Sequence, residues 1–268
     1  MLVVSFGDLV LDVIVRLRQP LAVGADATSE ITLTTGGQAA NVAAWIAALG
    51  ERARWVGKRA DDLPGQAAAT GLSDLGVELC GPRVASGGGV IVSLVDPDGN
   101  RTMCPDRGVA VELTPEELDP EWFACDHLHV SGYALVARPV CSAALRAVAL
   151  ARAANARVSI DLSSWSAIRD AGPERFRALV TELAPDVVFA NEAEEAVLGG
   201  PLANVVWISK RGAGGCSFEG GERPALPVER VVDTTGAGDA LAAGWIVGGP
   251  DLALEAAARS VARAGSMP

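Results

Sequence analysis

The order of apolar segments in the second half of the chain leaves few folds open. From Pro115 the pattern runs helix, strand (127–130), helix (140–153), strand (158–162), helix (173–183), strand (187–190), helix (192–198) and strand (205–209). A hairpin around Gly220-Gly221 follows, and a last helix is expected over about 252–264. Strands that alternate with helices pair in parallel, in a sheet covered on both faces. The first 110 residues read differently. Strands are expected at 2–6, 13–17, 28–33 and 90–95, and Asp96-Pro97-Asp98-Gly99-Asn100 is a turn that folds the last of these back into 101–103. Helices are expected at 39–49 and 64–75. In the first, Val42, Trp45, Ile46 and Leu49 fall on one stripe and Gly50 stops it. The β-rich pieces do not fit the alternation. They read as a small sheet projecting from the main body, a lid built from roughly 10–35 and 88–108. No low-complexity linker or internal repeat divides the 268 residues, which read as one α/β domain carrying that lid.

Charge and composition exclude several partners. Lys and Arg total 22 against 33 Asp and Glu, a net charge of −11, with no basic run to draw a nucleic acid. Aromatic residues are 4% of the chain, so its core must be built from Ala, Val and Leu. No uncharged run approaches the ~18 residues of a membrane span. The apolar opening holds Asp8 and Asp12 and lacks the charged start and cleavage site of a secretion signal. Cys80, Cys104, Cys125, Cys141 and Cys216 are dispersed, without metal-type spacing, and read as reduced thiols of a cytoplasmic protein. His127 and His129 alternate along one strand and read as packing residues.

The most informative segment is Asp233-Thr234-Thr235-Gly236-Ala237-Gly238-Asp239-Ala240, between Val231-Val232 and a helix-compatible run. Glycines at 236 and 238 let the backbone turn tightly and approach a ligand. Amides at the start of the following helix would converge on one spot, an anion site. Asp239 beside such a site would repel a phosphate at rest, but suits a base that takes a proton from a hydroxyl while the amides hold the developing phosphoryl charge. A carboxylate that merely favours a helix start, beside a bare turn, is the plainer alternative. A dinucleotide fingerprint would need a third glycine and an early strand, and no P-loop is present.

A second constellation, Gly36-Gly37-Gln38-Ala39-Ala40-Asn41, leads into the first amphipathic helix. Asn41 offers donors and an acceptor to a pair of hydroxyls, and Asp8 and Asp12 follow the first strand as acceptors. Turn and cap chemistry would also explain each of these alone.

With these segments in order, the chain resembles the ribokinase, or phosphofructokinase-B, family of carbohydrate kinases along essentially its whole length. GGQAANVAAWIAALG is similar to the family's N-terminal signature and DTTGAGDALAAGW to its C-terminal one; GDLVLDV, FANEAEEAVL and ISKRGAGGC fit the same order. The resemblance implies a ribokinase-like three-layer α/β sandwich with a mostly parallel central sheet and a small β-sheet lid. It implies Asp239 as general base, with Gly236, Ala237 and Gly238 as the anion hole. Asp8, Asp12, Gly37 and Asn41 would contact the sugar. Asn191 and Glu194 would support Mg²⁺ and phosphate, often through water, although Asn-x-x-Glu is also a capping box. Lys210, Arg211, Gly212 and Gly214 would line the nucleotide side, Lys210 and Arg211 being equally readable as surface charges. Asp233 and Thr235 match positions that in many members hold a monovalent cation such as K⁺. Arg101 and Arg107 flank the hairpin and could reach a substrate or a partner subunit, a solvated edge being the plainer reading. The implied reaction is ATP-dependent phosphorylation of a primary hydroxyl on a small sugar or sugar acid. A nucleoside kinase, with Trp55 or Tyr133 stacking on a base, and a non-catalytic sugar-binding regulator are the alternatives. Val13, Ile14, Val15, Val90, Ile91 and Val92 give the lid more apolar surface than one face hides, so a homodimer through the lid is expected.

Overall fold

The computed structural model describes residues 1–219 and 221–268. Gly220, at the tip of the expected hairpin, lies outside the described residues. The chain begins β1 (Leu2–Phe6), β2 (Val10–Leu17), β3 (Ser29–Gly36), α1 (Gln38–Ala48), β4 (Arg52–Val56), β5 (Arg59–Ala60), α2 (Leu63–Asp74), β6 (Glu78–Cys80), β7 (Arg83–Val84), β8 (Gly89–Val95) and β9 (Arg101–Asp106). It continues β10 (His127–Ser131), α3 (Val140–Ala153), β11 (Arg157–Asp161), α4 (Trp165–Ala171), α5 (Pro173–Leu183), β12 (Val187–Asn191), α6 (Glu192–Leu198), β13 (Val206–Lys210), β14 (Cys216–Phe218), β15 (Gly221–Arg223) and α7 (Ala237–Val261).

Among the described residues the main sheet has nine strands in the order β15-β14-β13-β12-β11-β10-β1-β4-β6. It is parallel except where β14 pairs with β13 and β15. Successive residues of each central strand enter opposite cores, as the two-residue period of a strand demands. Val3, Val187 and Phe189 pack with Trp45 and Ile46 of α1 and with Ala240, Ala242 and Ala243 of α7. Val4, Val188 and Ala190 pack on the other face with Ala143, Ala144 and Ala147 of α3 and with Phe176 of α5. The result is a three-layer sandwich whose helices approach closely through alanine. From β1 the chain builds outward to β4 and β6 on one side, and from β10 to β13 on the other. The crevice at the carboxyl ends of β1 and β10 is the switch point at which such sheets bind ligands.

The separate small sheet has the order β3-β2-β8-β9. Its register aligns Asp12 with Thr34 and Ile91, Ile14 with Ser93, Arg16 with Val95, and Val95 with Arg101. Asp12, Ile14, Arg16 and Arg101 therefore share one face. Val13, Val15, Ile31, Leu33, Val90 and Val92 share the other.

Three expectations need correction. The helix from Pro115 is instead a pair of 3₁₀ turns, Pro115–Glu117 and Pro120–Phe123. Each proline starts a turn, and Pro120 lacks the N–H that a continuous helix would need. The last helix is the second arm of α7, which breaks at Gly249 (φ 77°) before Pro250 and ends at Val261 rather than near 264. The unexpected α4 is seven residues long and is capped by Ser164 Oγ, which accepts from the Ala167 amide at 3.3 Å. No helix among the described residues is long and apolar enough to cross a membrane. His127 and His129 are buried and share the Ser159 hydroxyl at 2.8 and 2.9 Å. Burial pushes their pKa values down to about 3 and about 4, so both are neutral packing residues.

Candidate active site

The carboxyl ends of four parallel strands supply the floor of the crevice. Asp8 follows β1, while Asp161, Asn191 and Lys210 are the last residues of β11, β12 and β13. The start of α7 faces them. Gly236 adopts φ 76°, which L side chains rarely reach, and a Cβ there would stand 2.6 Å from Ser266 Cα. This turn opens α7, whose first amides have no carbonyl four residues back to receive them; that of Ala237 donates instead to the Thr234 carbonyl at 3.4 Å.

Asp239 is half-buried in that first turn. Its Oδ2 accepts from Asn41 Nδ2 at 2.7 Å, and Asn41 Oδ1 accepts from Ser266 Oγ at 3.0 Å. The Asn41 amide, expected to meet a sugar, is thus engaged with the carboxylate. Burial pushes Asp239 up to about 7, and the Asp161 charge adds to the rise, against the pull of Asn41 and Lys210. Lys210 turns inward and donates to Asp161 Oδ2 at 2.6 Å. Arg211 turns out to pair with Glu222, and Gly212–Gly214 is an exposed 3₁₀ turn. Asn191 and Glu194 form the capping box in full: Glu194 Oε2 accepts the Asn191 amide at 2.8 Å and Asn191 Oδ1 accepts the Glu194 amide at 2.9 Å. Glu194 is buried, which pushes its carboxyl up.

At the other end of the crevice, Asp8 is held in a two-point pair by Arg107, whose Nη2 lies 2.7 Å from Oδ1 and whose guanidinium lies 5.6 Å from the Tyr133 ring centre. Gly37 turns into α1 at φ 99°, with a Cβ there 2.5 Å from the Asp8 carbonyl oxygen. Asp12 Oδ1 is buried without a hydrogen-bond partner, and burial raises its carboxyl to about 6 while Arg101 pulls it back. Arg101 and Arg107 are therefore not a solvated edge. Arg101 reaches Asp233 Oδ1 at 2.9 Å, and Arg16 lies 3.9 Å from Oδ2 of the same carboxylate. Asp233 also accepts from the amides of Thr235 (2.9 Å) and Gly265 (3.2 Å). Burial opposes its charge, but these donors outweigh it and hold Asp233 below the usual carboxylate range.

Asp161 and Ser266 join this cluster without having been singled out in the sequence, and Arg101 and Arg107 join it where a solvated edge was the plainer expectation. A strand-end Asp carries no local signal. The arginines could have been found from the small sheet's register, since a two-residue period puts Asp12, Arg16 and Arg101 on one face.

A sequence model of pfkB family carbohydrate kinases matches residues 1–267. The chain belongs to that family. This kinase is 34% identical over 260 residues to an ATP-dependent ribose-1-phosphate kinase of Halopiger xanaduensis, spanning 91% of this chain and 83% of the relative. It is 32% identical over 265 residues to fructokinase-1 of Oryza sativa subsp. japonica, spanning 89% and 80%. Among solved structures, the kinase superposes on the adenosine kinase from Sinorhizobium meliloti with a TM-score of 0.85 at 24% identity, over 99% of this chain and 95% of that one. A putative ribokinase II from E. coli in complex with ATP and Mg²⁺ gives 0.84 at 20% identity, over 99% and 94%. At those identities the structures establish the ribokinase-like fold of the kinase.

Proposed function

We propose that this kinase transfers the γ-phosphoryl group of ATP to a primary hydroxyl of a small sugar, with Asp239 as the base. The observation that carries this reading is the Asp239 carboxylate itself, held by Asn41 in the first turn of α7 with its pKa near 7. A base poised near the working pH is half-protonated there and matched to its task. Asp239 accepts the hydroxyl proton as the new O–P bond forms. The Gly238 amide, just past the Gly236 turn, meets the phosphoryl oxygens as charge gathers on them. Asp12 Oδ1, buried and unpartnered, accepts from a second sugar hydroxyl, and the Asp8–Arg107 pair lines the remaining polar edge.

The residues fit a magnesium ion that arrives with the nucleotide. Asp161, Glu194 and Asp239 converge on a single ammonium, Lys210, leaving an excess of negative charge. Mg²⁺ binds through one or two carboxylates, keeps most of its waters and takes substrate phosphates as ligands, so Asn191 and Glu194 would hold it through water. When bound, it neutralises phosphate charge. A monovalent cation does not fit Asp233 and Thr235: that carboxylate already carries Arg101 and Arg16. A nucleoside acceptor is disfavoured too. Trp55 is fully buried, and Arg107 stands over the Tyr133 face, so neither ring is free to stack on a base.

ADP release is the test, with ribose, ribose 1-phosphate, fructose, 2-keto-3-deoxygluconate and adenosine as acceptors. ADP is expected with one of the sugars and not with adenosine; silence with every acceptor overturns the reading in favour of a sugar-binding regulator. The active pair should keep its rate when tetramethylammonium replaces K⁺. Activation by K⁺ of several-fold would restore the cation site.

In this reading the small sheet, over 10–36 and 89–106, is a lid that excludes water from the phosphoryl group. Its outer face leaves Ile31 60% and Leu33 62% exposed, enough apolar surface to call for a cover. A second copy, lid against lid, provides it. Sedimentation at micromolar concentration should give a dimer, and Ile31→Lys with Leu33→Lys should give a monomer. A monomeric wild type excludes this arrangement.

A further inference from the structure

Lys210 and Asp161 form an ion pair deep in the crevice. Asp161 is fully buried, and its Oδ1 accepts from the Ser163 amide at 2.9 Å while Oδ2 takes the lysine. The ammonium also lies against the α7 turn: a Cβ built on Gly238 would stand 3.3 Å from Nζ and 3.4 Å from Cδ. Gly238 is the slot through which the lysine reaches the turn that carries Asp239. Desolvating two such charges costs several kcal/mol per ion, and apolar residues of the same volume often hold a core as well or better. The position of this pair does have a use, because the ammonium sits beside the amides on which transferred charge would gather.

Resting on the site reading above, we propose that Lys210 is a further catalytic residue: anchored by Asp161, its ammonium contacts the phosphoryl group during transfer. Asp161 is then a positioning residue that acts through the lysine. The lysine keeps its proton throughout. The hydroxyl proton goes to Asp239, the bond from the γ-phosphorus to ADP breaks, and the bond to the sugar oxygen forms.

Of the groups around Nζ, the ammonium, the imidazole, the thiol and the phenol keep their state near neutrality. Burial opposes the charge of Lys210, but Asp161, Glu194 and Asp239 outweigh it and hold the ammonium above its ordinary range. His129 on β10 is neutral, and burial pushes the Cys216 thiol on β14 up to about 12. Tyr133 is likewise raised by burial. The Asp239 carboxyl titrates in this range: removing the lysine raises it further, and removing Asp161 lowers it.

The test uses the full chain in three forms. Lys210→Met should lower kcat by about 10²-fold, the worth of one preorganised donor at a developing charge, and move the acid limb of the rate profile to higher pH. Asp161→Asn should move that limb to lower pH. The double variant Asp161→Asn with Lys210→Met removes both members of the ion pair, so it should melt higher than either single variant and yet be as slow as Lys210→Met. A folded double variant with wild-type kcat, or a limb that moves in neither single variant, overturns the proposal and leaves the sugar-kinase reading standing. A wild type that phosphorylates no acceptor overturns both.

Discussion

Asp239→Asn should lower kcat by about 10²–10⁴, the usual worth of a general base, in a protein that folds as well as the wild type. The change preserves shape, and an amide still meets Asn41. It also removes one of three carboxylates that crowd around Lys210. The pH dependence has a definite sign. A base must be unprotonated, so wild-type kcat/KM should fall as pH drops through about 7, the value to which burial and Asp161 raise Asp239. Stability runs the other way. The folded state holds this proton above the ordinary carboxylate range, so the group makes the fold less stable as pH rises from about 4 to 7. The Asn variant should lose that decline and melt slightly higher than wild type at neutral pH. Steady-state kinetics against pH and thermal melts followed by circular dichroism measure both. A variant within fivefold of wild-type kcat removes Asp239 from the mechanism.

Trp45→Ala should give the largest loss of stability. Trp45 is fully buried in the core between α1 and α7, where it packs among the alanines of α1. Its Nε1 donates to the Ser266 carbonyl at 2.9 Å, and the Arg259 guanidinium lies 5.6 Å from the ring centre. Emptying such a site costs about 3–5 kcal/mol, or roughly 6–20 °C in melting temperature for a domain of this size. The effect should reach activity too. Ser266 is the residue against which Gly236 packs and from which Asn41 accepts a hydrogen bond. Trp45→Phe keeps most of the volume but frees the Ser266 carbonyl. It should therefore melt close to wild type while turning over more slowly than its folded fraction explains. A Trp45→Ala protein that melts with the wild type would show that the two helices do not depend on this ring.

The sequence disclosed the elements whose boundaries have a local chemical cause. α5 and α6 begin where expected because Pro173 opens the first and the Asn191 cap opens the second, which the left-handed Gly199 closes. The α7 turn was visible for the same reason, since Gly236 and Gly238 are needed for geometry that two chain neighbours cannot disguise. What escaped notice depends on distant partners. Nothing local says that Lys210 turns inward while Arg211 turns out; that is set by Asp161, 49 residues earlier. The arginines of β9 and the loop after it looked solvated because their hairpin is polar, yet Asp8 and Asp233 draw them in. Pairing of charges across a fold has no period for a sequence to display.

The place of β1 in the main sheet has a consequence for how the molecule is made. Its two flanks are filled at very different times: β4 pairs with it soon after synthesis begins, whereas Val3 must wait for His127 on the opposite side. A nascent chain leaving the ribosome thus carries an open hydrogen-bonding edge on an apolar strand until residues 127–131 emerge, the interval in which an unpaired strand recruits the wrong neighbour.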